Sequence, residues 1–599
     1  MIISIDIETE GLRIDTQINF VGLYTINSSG KELFKCFKFP EESQTCAEFL
    51  KKLQSKGAKF VMHHGKFDSG RLKYSYGIDI PIDHDTLYLA YLSCTVDELK
   101  YKGMKKADNI QRQKYLSLKA IAQRVLGVAD WDIDKKTKTS TNREDVEPYL
   151  FLDCKYTYQL YQYYKKHLPK SKIKSYKLMI RAANAYRDIE INGLPINYNK
   201  LDETREYYYN KLQEVLEKLK QYGDINFNSS KQLQELLYSN LKLPIKSYTK
   251  AGSPATGVEA LTELLGEHPI IDLLLEQRKY KKAYEFCESW KNEAIQHKDG
   301  YWYLHSTFNL HGTVTGRTSS DNVNLQQIPR EKTLKSLFQS CDPEWELVCE
   351  DFSQLELRMA GIVANVKAIK DSYRNGEDLH LKMASIVTGK PLNEITKAER
   401  TQAKAANFGF LYSMQAQSFV EYAKLSYGVI VTPEEAENIR YHFFELYPEL
   451  NDYYDETHGS LLGDYKITSI MGREYEVNPE VFADRMKRQE ILRACLNFPV
   501  QSAGSDYVLS GLIMVAEDPT LKDKIRIGAT VHDSIIFMVK KDKDMINNIK
   551  KVKSIMEHNS LADSYISVKP DFPIVVDVEI GPLGKGVDID EYLEAHKNE

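Results

Sequence analysis

Two ionisable side chains, His532 and Asp533, interrupt the apolar run ATVHDSIIFMV at 529–539. The run reads as a buried strand, where an isolated carboxylate is costly to desolvate. A partner is therefore expected, and ELVCEDFSQLELR at 346–358 offers one. ELVCE reads as a strand, and Asp351 stands where it stops. Two adjoining carboxylates repel each other unless cations lie between them, and oxygen ligands around an open site favour Mg²⁺. A pair of such ions can lower the pKa of an attacking hydroxyl and stabilise an in-line phosphoryl displacement. The segment TKAERTQAKAANFGFLYS at 396–413 suits the substrate of that reaction. Thr396 and Glu399 form a capping-box pattern, which starts a helix. Arg400, Lys404, Phe408 and Tyr412 then recur every four residues, drifting by only ~40° per step, so they share one side. Two cations followed by two aromatics match a triphosphate and then a base. A second acidic set opens the chain. Asp6 and Glu8 in DIETEGL alternate on a strand and share a face, so both can meet one metal pair. HHGKFD at 63–68 adds Asp68, and YLFLD at 149–153 adds Tyr149 and Asp153, four apart on one side of a helix.

These residues need a scaffold of mixed type. Strand-like runs MIISIDIE, NFVGLYTIN, KELFKCFKF and KFVMHH open an α/β region of about 165 residues, and YLSLKAIAQRVLG at 115–127 is helical. From about 170 to 295 the chain turns helical and rich in Lys and Tyr. NKLDETREYYYNKLQEVLEKLKQY at 199–222 fits one long helix, and KSYTKAGSPATG at 246–257, with two lysines, reads as the tip of a helical hairpin. Strand signals return near 301–310 and 346–351, helices dominate 366–460, and strands reappear at 525–540 and 572–580. A β-rich unit is thus interrupted by a helical insertion. The 599 residues exceed one hydrophobic core. A composition of 42% hydrophobic and 28% charged residues suits a soluble globular protein. Net charge is only -5, so any surface for a polyanion must come from local basic patches. Eight scattered cysteines without a CxxC pair suit reduced thiols rather than a disulfide framework or a zinc site. No apolar stretch approaches the ~20 residues of a membrane span, and the acidic, alternating start is no signal peptide.

DFSQLELR (351–358), RTQAKAANFGFLYS (400–413) and VHDS (531–534) resemble the three polymerase motifs of family A DNA polymerases, the bacterial DNA polymerase I family and its short phage relatives. TGRTSSDNVNLQQIPR (315–330), DLH (378–380), MGR (471–473) and RACLNFPVQSAGSD (493–506) agree with it in order. The resemblance implies that Asp351 and Asp533 hold two Mg²⁺ ions with the backbone carbonyl of Phe352. It implies that Arg400, Lys404 and His380 bind the phosphates of an incoming dNTP, with Lys404 able to protonate the leaving pyrophosphate. Phe408 would pack on the sugar and Tyr412 on the template side of the new pair. Gln354 lies in the same nucleotide site, and Glu356 stands at the steric gate against a 2′-hydroxyl. Arg317, Arg493, Asn497 and Gln501 would hold primer and template, and His532 the primer terminus. Contacts of this kind test pair shape without reading sequence, because minor-groove acceptors are common to all pairs.

The N-terminal set resembles the 3′–5′ exonuclease domain of the same family, in which Asp6, Glu8, Asp68 and Asp153 would hold two divalent ions and Tyr149 would orient the attacking water. DTLYLAYL at 85–92 also looks familial. Three departures stand out. Phe408 replaces a Tyr found in some relatives, which in the family goes with discrimination against dideoxynucleotides. Ser534 replaces a Glu that often follows the catalytic Asp, and His64 replaces a common Asn. The implied fold class is α/β multidomain: an RNase H-like exonuclease domain, then a right-hand polymerase. The expected divisions are the exonuclease domain at 1–165, connecting helices and thumb at 166–298, first palm segment at 299–365, fingers at 366–485 and second palm segment at 486–599. Nothing ahead of Met1 corresponds to a 5′-nuclease domain, so a compact replicase is expected. Primer-template DNA and dNTPs are the expected partners, with a helicase and a single-strand binding protein as candidates. The expected form is a monomer in the host bacterial cytoplasm during phage infection. A single-subunit RNA polymerase is disfavoured by Glu356 and the exonuclease set, and a non-catalytic DNA-binding relative by the intact acids.

Overall fold

The computed structural model describes residues 1–100, 115–132, 135–249 and 251–596. The N-terminal region builds a five-stranded sheet from β1 (Ile2–Thr9), β2 (Ile18–Ile26), β3 (Glu32–Lys38), β4 (Lys59–Met62) and β5 (His84–Asp85), in the order β3-β2-β1-β4-β5. The first three strands are antiparallel, and β4 and β5 run parallel to β1. β1 is central, so Ile3, Ile5 and Ile7 are buried on one face while Asp6 and Glu8 project from the other. The long helix Arg143–His167 packs over β1 and β2. It is fixed by Ser4, whose hydroxyl donates to the Cys154 carbonyl at 2.7 Å.

The second sheet carries the larger active-site candidate. It comprises β6 (Trp345–Phe352), β7 (Ile525–Val531), β8 (Ser534–Lys540) and β9 (Val576–Ile580), ordered β7-β8-β6-β9 and antiparallel throughout. The run 529–539 is therefore not one strand, as its sequence suggests, but the heart of a hairpin. His532 and Asp533 form its two-residue turn, since Val531 pairs with Ser534. The turn lacks the glycine or asparagine that usually announces it. His532 instead adopts φ 54°, a conformation uncommon for a side chain of its size.

Helices link the two sheets. Ile173–Asn192 packs on β7 and on the helix Gly65–Tyr76 beside β1. Lys66, almost fully buried, donates to the Glu190 carboxylate and to the Phe308 carbonyl, while the Phe308 N–H donates to Glu190 at 2.7 Å. Tyr91 donates to the Thr313 carbonyl at 2.6 Å across the same junction. Tyr198–Leu219 and Ile270–Glu293 form an antiparallel pair with a separate core at its far end, built from Leu219, Leu233, Leu237, Leu261 and Leu274. The expected hairpin loop at 246–257 includes Lys250, which lies outside the described residues; Tyr248 and Pro254 bridge within it. The helical insertion between β6 and β7 holds Lys397–Gly409, which starts with the expected capping box and ends in a 3₁₀ turn at Phe410–Tyr412.

Candidate active sites

Strand register decides which carboxylate of β6 reaches the open face. Side chains alternate, so Asp351 is exposed while Glu350 is buried on the opposite face; a one-residue slip would exchange them. Asp351 pairs with Ser534 on β8 and with Asp577 on β9. The turn bearing Asp533 folds over the end of β6, because the Phe352 N–H donates to the Asp533 carbonyl at 3.2 Å. Desolvation, then the charges of Asp533, Asp577 and Glu579, raise the Asp351 pKa to about 7, against a small opposing effect of Lys335. Desolvation also raises Asp533, and Arg317 opposes it. Arg317, His532 and Asp533 line one cleft with Gly316 and Gln326.

After β6 the chain turns sharply through Gln354, at φ 52°, into the helix Leu355–Val363. Tyr373 donates to Gln354 at 3.0 Å, and Arg358 donates to the Ser353 carbonyl at 2.7 Å while lying 4.0 Å over the Tyr373 ring. Glu356, in the first helical turn, accepts from the Tyr412 hydroxyl and from Arg317 at 3.3 Å. Three residues named from sequence thus converge, tying the helical insertion to the helix that follows β6, and the charges of Arg317 and Glu356 both act on Asp533. Arg400 is held by Asp378, and Lys404 is exposed. His380 is buried, and its Nδ1 lies 2.9 Å from the Asn407 amide. Burial, reinforced by the Arg400 and Lys404 charges, lowers its pKa to about 4 despite Asp378, so the ring is neutral at pH 7. Phe408 is half-buried, its ring 6.0 Å from that of His380. Arg493 is exposed on Arg485–Cys495; Asn497 stands just before Phe498–Glu517 without a side-chain capping bond, and Gln501 rides on that helix, which packs against Leu355–Val363. None of these three hydrogen-bonds to Asp351 or Asp533 among the described residues.

The N-terminal acids form a tighter group. Carboxylate oxygens of Asp6, Glu8 and Asp153 lie within 4.8 Å of one another. Asp68 joins them from Gly65–Tyr76, accepting the Ile7 N–H at 3.2 Å between the two strand acids. Desolvation and then repulsion within the group raise Glu8 to about 8 and push Asp6 well above its usual range, and desolvation with the charge of Asp85 raises Asp68 to about 8. Three carboxylates in so small a volume, with Asp68 beside them, fit divalent cations, which would relieve the repulsion.

Sequence reasoning missed the cationic and indole partners of this group. Lys119 donates to the Tyr149 hydroxyl and to both Asp153 oxygens at 3.2 Å, and Trp131 Nε1 donates to Asp153 at 2.6 Å. One lysine and one tryptophan outside the acidic motifs give no local signal. His64 precedes Gly65–Tyr76 at φ 64°, and its N–H donates to Asp85 at 3.0 Å, as does that of Gly65 at 2.8 Å. Asp85 also caps Thr86–Ser93 through the Leu87 N–H, so the DTLYLAYL segment anchors the loop that delivers Asp68.

Residues 198–583 match the profile of DNA polymerase family A, and residues 2–169 that of a 3′-5′ exonuclease. The chain belongs to DNA polymerase family A. The DNA polymerase of Bacillus phage SP01 is 26% identical across 90% of this chain and 64% of its own length. DNA polymerase I of Aquifex aeolicus is 32% identical across 65% of this chain and 63% of its own. The DNA polymerase of Escherichia phage T5 is 26% identical across 89% and 67%. The chain therefore spans a little under two thirds of the first two of these relatives. Among solved structures, the POL domain of Pol1 from M. smegmatis, in complex with DNA primer-template and dNTP, superposes with a TM-score of 0.78 at 22% identity, covering 97% of this chain and 95% of that one. The likeness shows the fold, and the two profile matches give its order, a 3′-5′ exonuclease domain followed by a polymerase domain. Family A polymerase and exonuclease domains normally use divalent metals, in keeping with the acids described. No helix among the described residues is long and apolar enough to cross a membrane.

Proposed function

We infer that this chain extends a primer on a DNA template with dNTPs and removes mispaired 3′ ends. The observation that carries the reading is the meeting of Asp351 and Asp533 at one end of a sheet, with Tyr412 bonded to Glu356 nearby. Asp351, Asp533 and the Phe352 carbonyl would hold two Mg²⁺ ions, which when bound would activate the primer hydroxyl and stabilise the departing pyrophosphate. Arg400, Lys404 and the neutral His380 bind the triphosphate, and Lys404 supplies a proton to the leaving group. Phe408 packs on the sugar, and Tyr412 on the template side of the nascent pair. Gln354 buttresses the turn that carries Glu356, and Glu356 excludes a 2′-hydroxyl. Arg317, Arg493, Asn497 and Gln501 follow the duplex, and His532, aimed by its strained turn, meets the primer terminus.

In the exonuclease site Asp6, Glu8, Asp68 and Asp153 would hold two divalent ions, and Tyr149 orients the water. The domain divisions are those expected from sequence, with the helical pair acting as thumb. The chain works as a monomer in the bacterial cytoplasm during phage infection, with helicase and single-strand binding protein as replication partners. A labelled primer-template incubated with Mg²⁺, with and without dNTPs, tests both activities. Asp351→Asn should abolish extension and spare degradation, and Asp6→Ala should do the reverse. Extension by the first variant or degradation by the second would refute the respective assignment.

A further inference from the structure

Asp378 sits where two helices meet. Its Oδ1 accepts the N–H groups of His380 at 2.8 Å and Leu381 at 3.1 Å, capping the helix Leu379–Thr388. Its Oδ2 accepts Nε of Arg400 at 2.9 Å and Nη2 at 2.7 Å, from the neighbouring helix Lys397–Gly409. One carboxylate thus satisfies two orphan donors of a helix start and grips one edge of a guanidinium. Arginine has five N–H donors in a planar fork, and Asp378 engages only the Nε–Nη2 edge. The Nη1 end is left to meet an anion. About two turns beyond Arg400 on its helix, the Asn407 amide meets the His380 ring at 2.9 Å and joins the same two helices.

We propose that Asp378 is the positioning residue for Arg400, holding its guanidinium pre-aimed at the triphosphate of the incoming nucleotide. The role rests on the polymerase reading above. An untethered arginine must lose much of its rotamer freedom when it binds phosphate, whereas the Asp378 grip removes that freedom beforehand. A negative charge beside a phosphate site weakens its pull on an anion, so Asp378 acts through geometry and not through field strength. The same carboxylate fixes the start of the helix bearing His380, so two phosphate-binding groups share one anchor.

Serine at position 378 keeps a helix cap but cannot reach the guanidinium, and asparagine keeps both the cap and the volume while losing the charge. The test compares Asp378→Ser with the parent chain in steady-state single-nucleotide incorporation. The affinity of dNTP for a complex carrying a dideoxy-terminated primer is measured alongside. We expect KM and the nucleotide Kd to rise about tenfold, the order lost with a charge-assisted contact. We expect kcat at saturating dNTP, the melting temperature and single-strand degradation to stay unchanged. In an Arg400→Ala background Asp378→Ser should raise KM no further. An unchanged KM with a lowered melting temperature would reduce Asp378 to a helix cap and overturn the proposal. A lowered KM would make it a competing anion, and an additive effect in the Arg400→Ala background would show that it acts elsewhere; either overturns it. Asp378→Asn gives the same readings should the serine variant fail to fold. Failure of the polymerase reading is distinguishable, because the parent chain itself would then incorporate no nucleotide.

Discussion

Replacing Asp351 by asparagine should kill extension and, in the absence of metal, make the protein more stable. Desolvation, then repulsion by neighbouring acids, lifts the Asp351 pKa from 3.8 to about 7, which corresponds to ~4 kcal/mol of strain in the ionised folded state. Asp351 is exposed at the strand end, and solvent screening reduces this to about 1–2 kcal/mol. The folded state binds this proton more tightly than the unfolded chain does. The penalty is therefore absent below pH 3.8, grows between 3.8 and 7, and is complete above 7. Integrated over that window it stands at about half its full value near pH 5.5. Among the described residues the Asp351 carboxylate accepts no hydrogen bond whose loss would offset the gain. Urea unfolding in chelator should show Asp351→Asn more stable than the parent by about 1–2 kcal/mol at pH 8, and by about half that at pH 5.5. Adding Mg²⁺ should close the gap by stabilising the parent. An asparagine variant less stable than the parent at pH 8, or a margin indifferent to pH, would mean that Asp351 is a structural residue, and the metal argument would fall.

Divalent binding at the exonuclease acids should strengthen as pH rises from 6 to 8, since Glu8 and Asp68 are raised to about 8 and must lose protons to ligate; a Mn²⁺ titration in the Asp351→Asn background reads this. Trp131→Phe removes a charge-assisted bond to Asp153, so degradation should slow by about 10–100-fold with primer extension unchanged. Glu356→Ala should raise the ratio of ribonucleotide to deoxyribonucleotide incorporation in single-turnover assays, and an unchanged ratio would place the gate elsewhere. Arg473 and Asp506 form an ion pair at 2.7 Å, almost wholly out of solvent. Arg473→Ala should destabilise the protein by about 3–5 kcal/mol, and Arg473→Ala with Asp506→Ala by much less, because the single change strands a buried charge. Equal losses in calorimetry would contradict that account.

Local signals sufficed wherever the chemistry lies within one element. The alternation of Asp6 and Glu8, the Tyr149–Asp153 spacing and the Thr396–Glu399 cap all follow from helix and strand periods, and the structure keeps each. The turn at His532 and Asp533 was hidden because its positive φ is carried by a histidine, where a glycine would have marked it. Contacts between distant segments have no such period. That Asp351 faces the cleft while Glu350 is buried depends on register with β8 and β9. That Asp378 grips Arg400, and Lys119 reaches Tyr149 and Asp153, depends on how helices pack. Sequence alone determined which residues could do the chemistry, because side-chain type and local spacing are written along the chain. Tertiary structure alone decided which of them meet and at what charge, because desolvation and Coulomb energy depend on neighbours the chain supplies from far away.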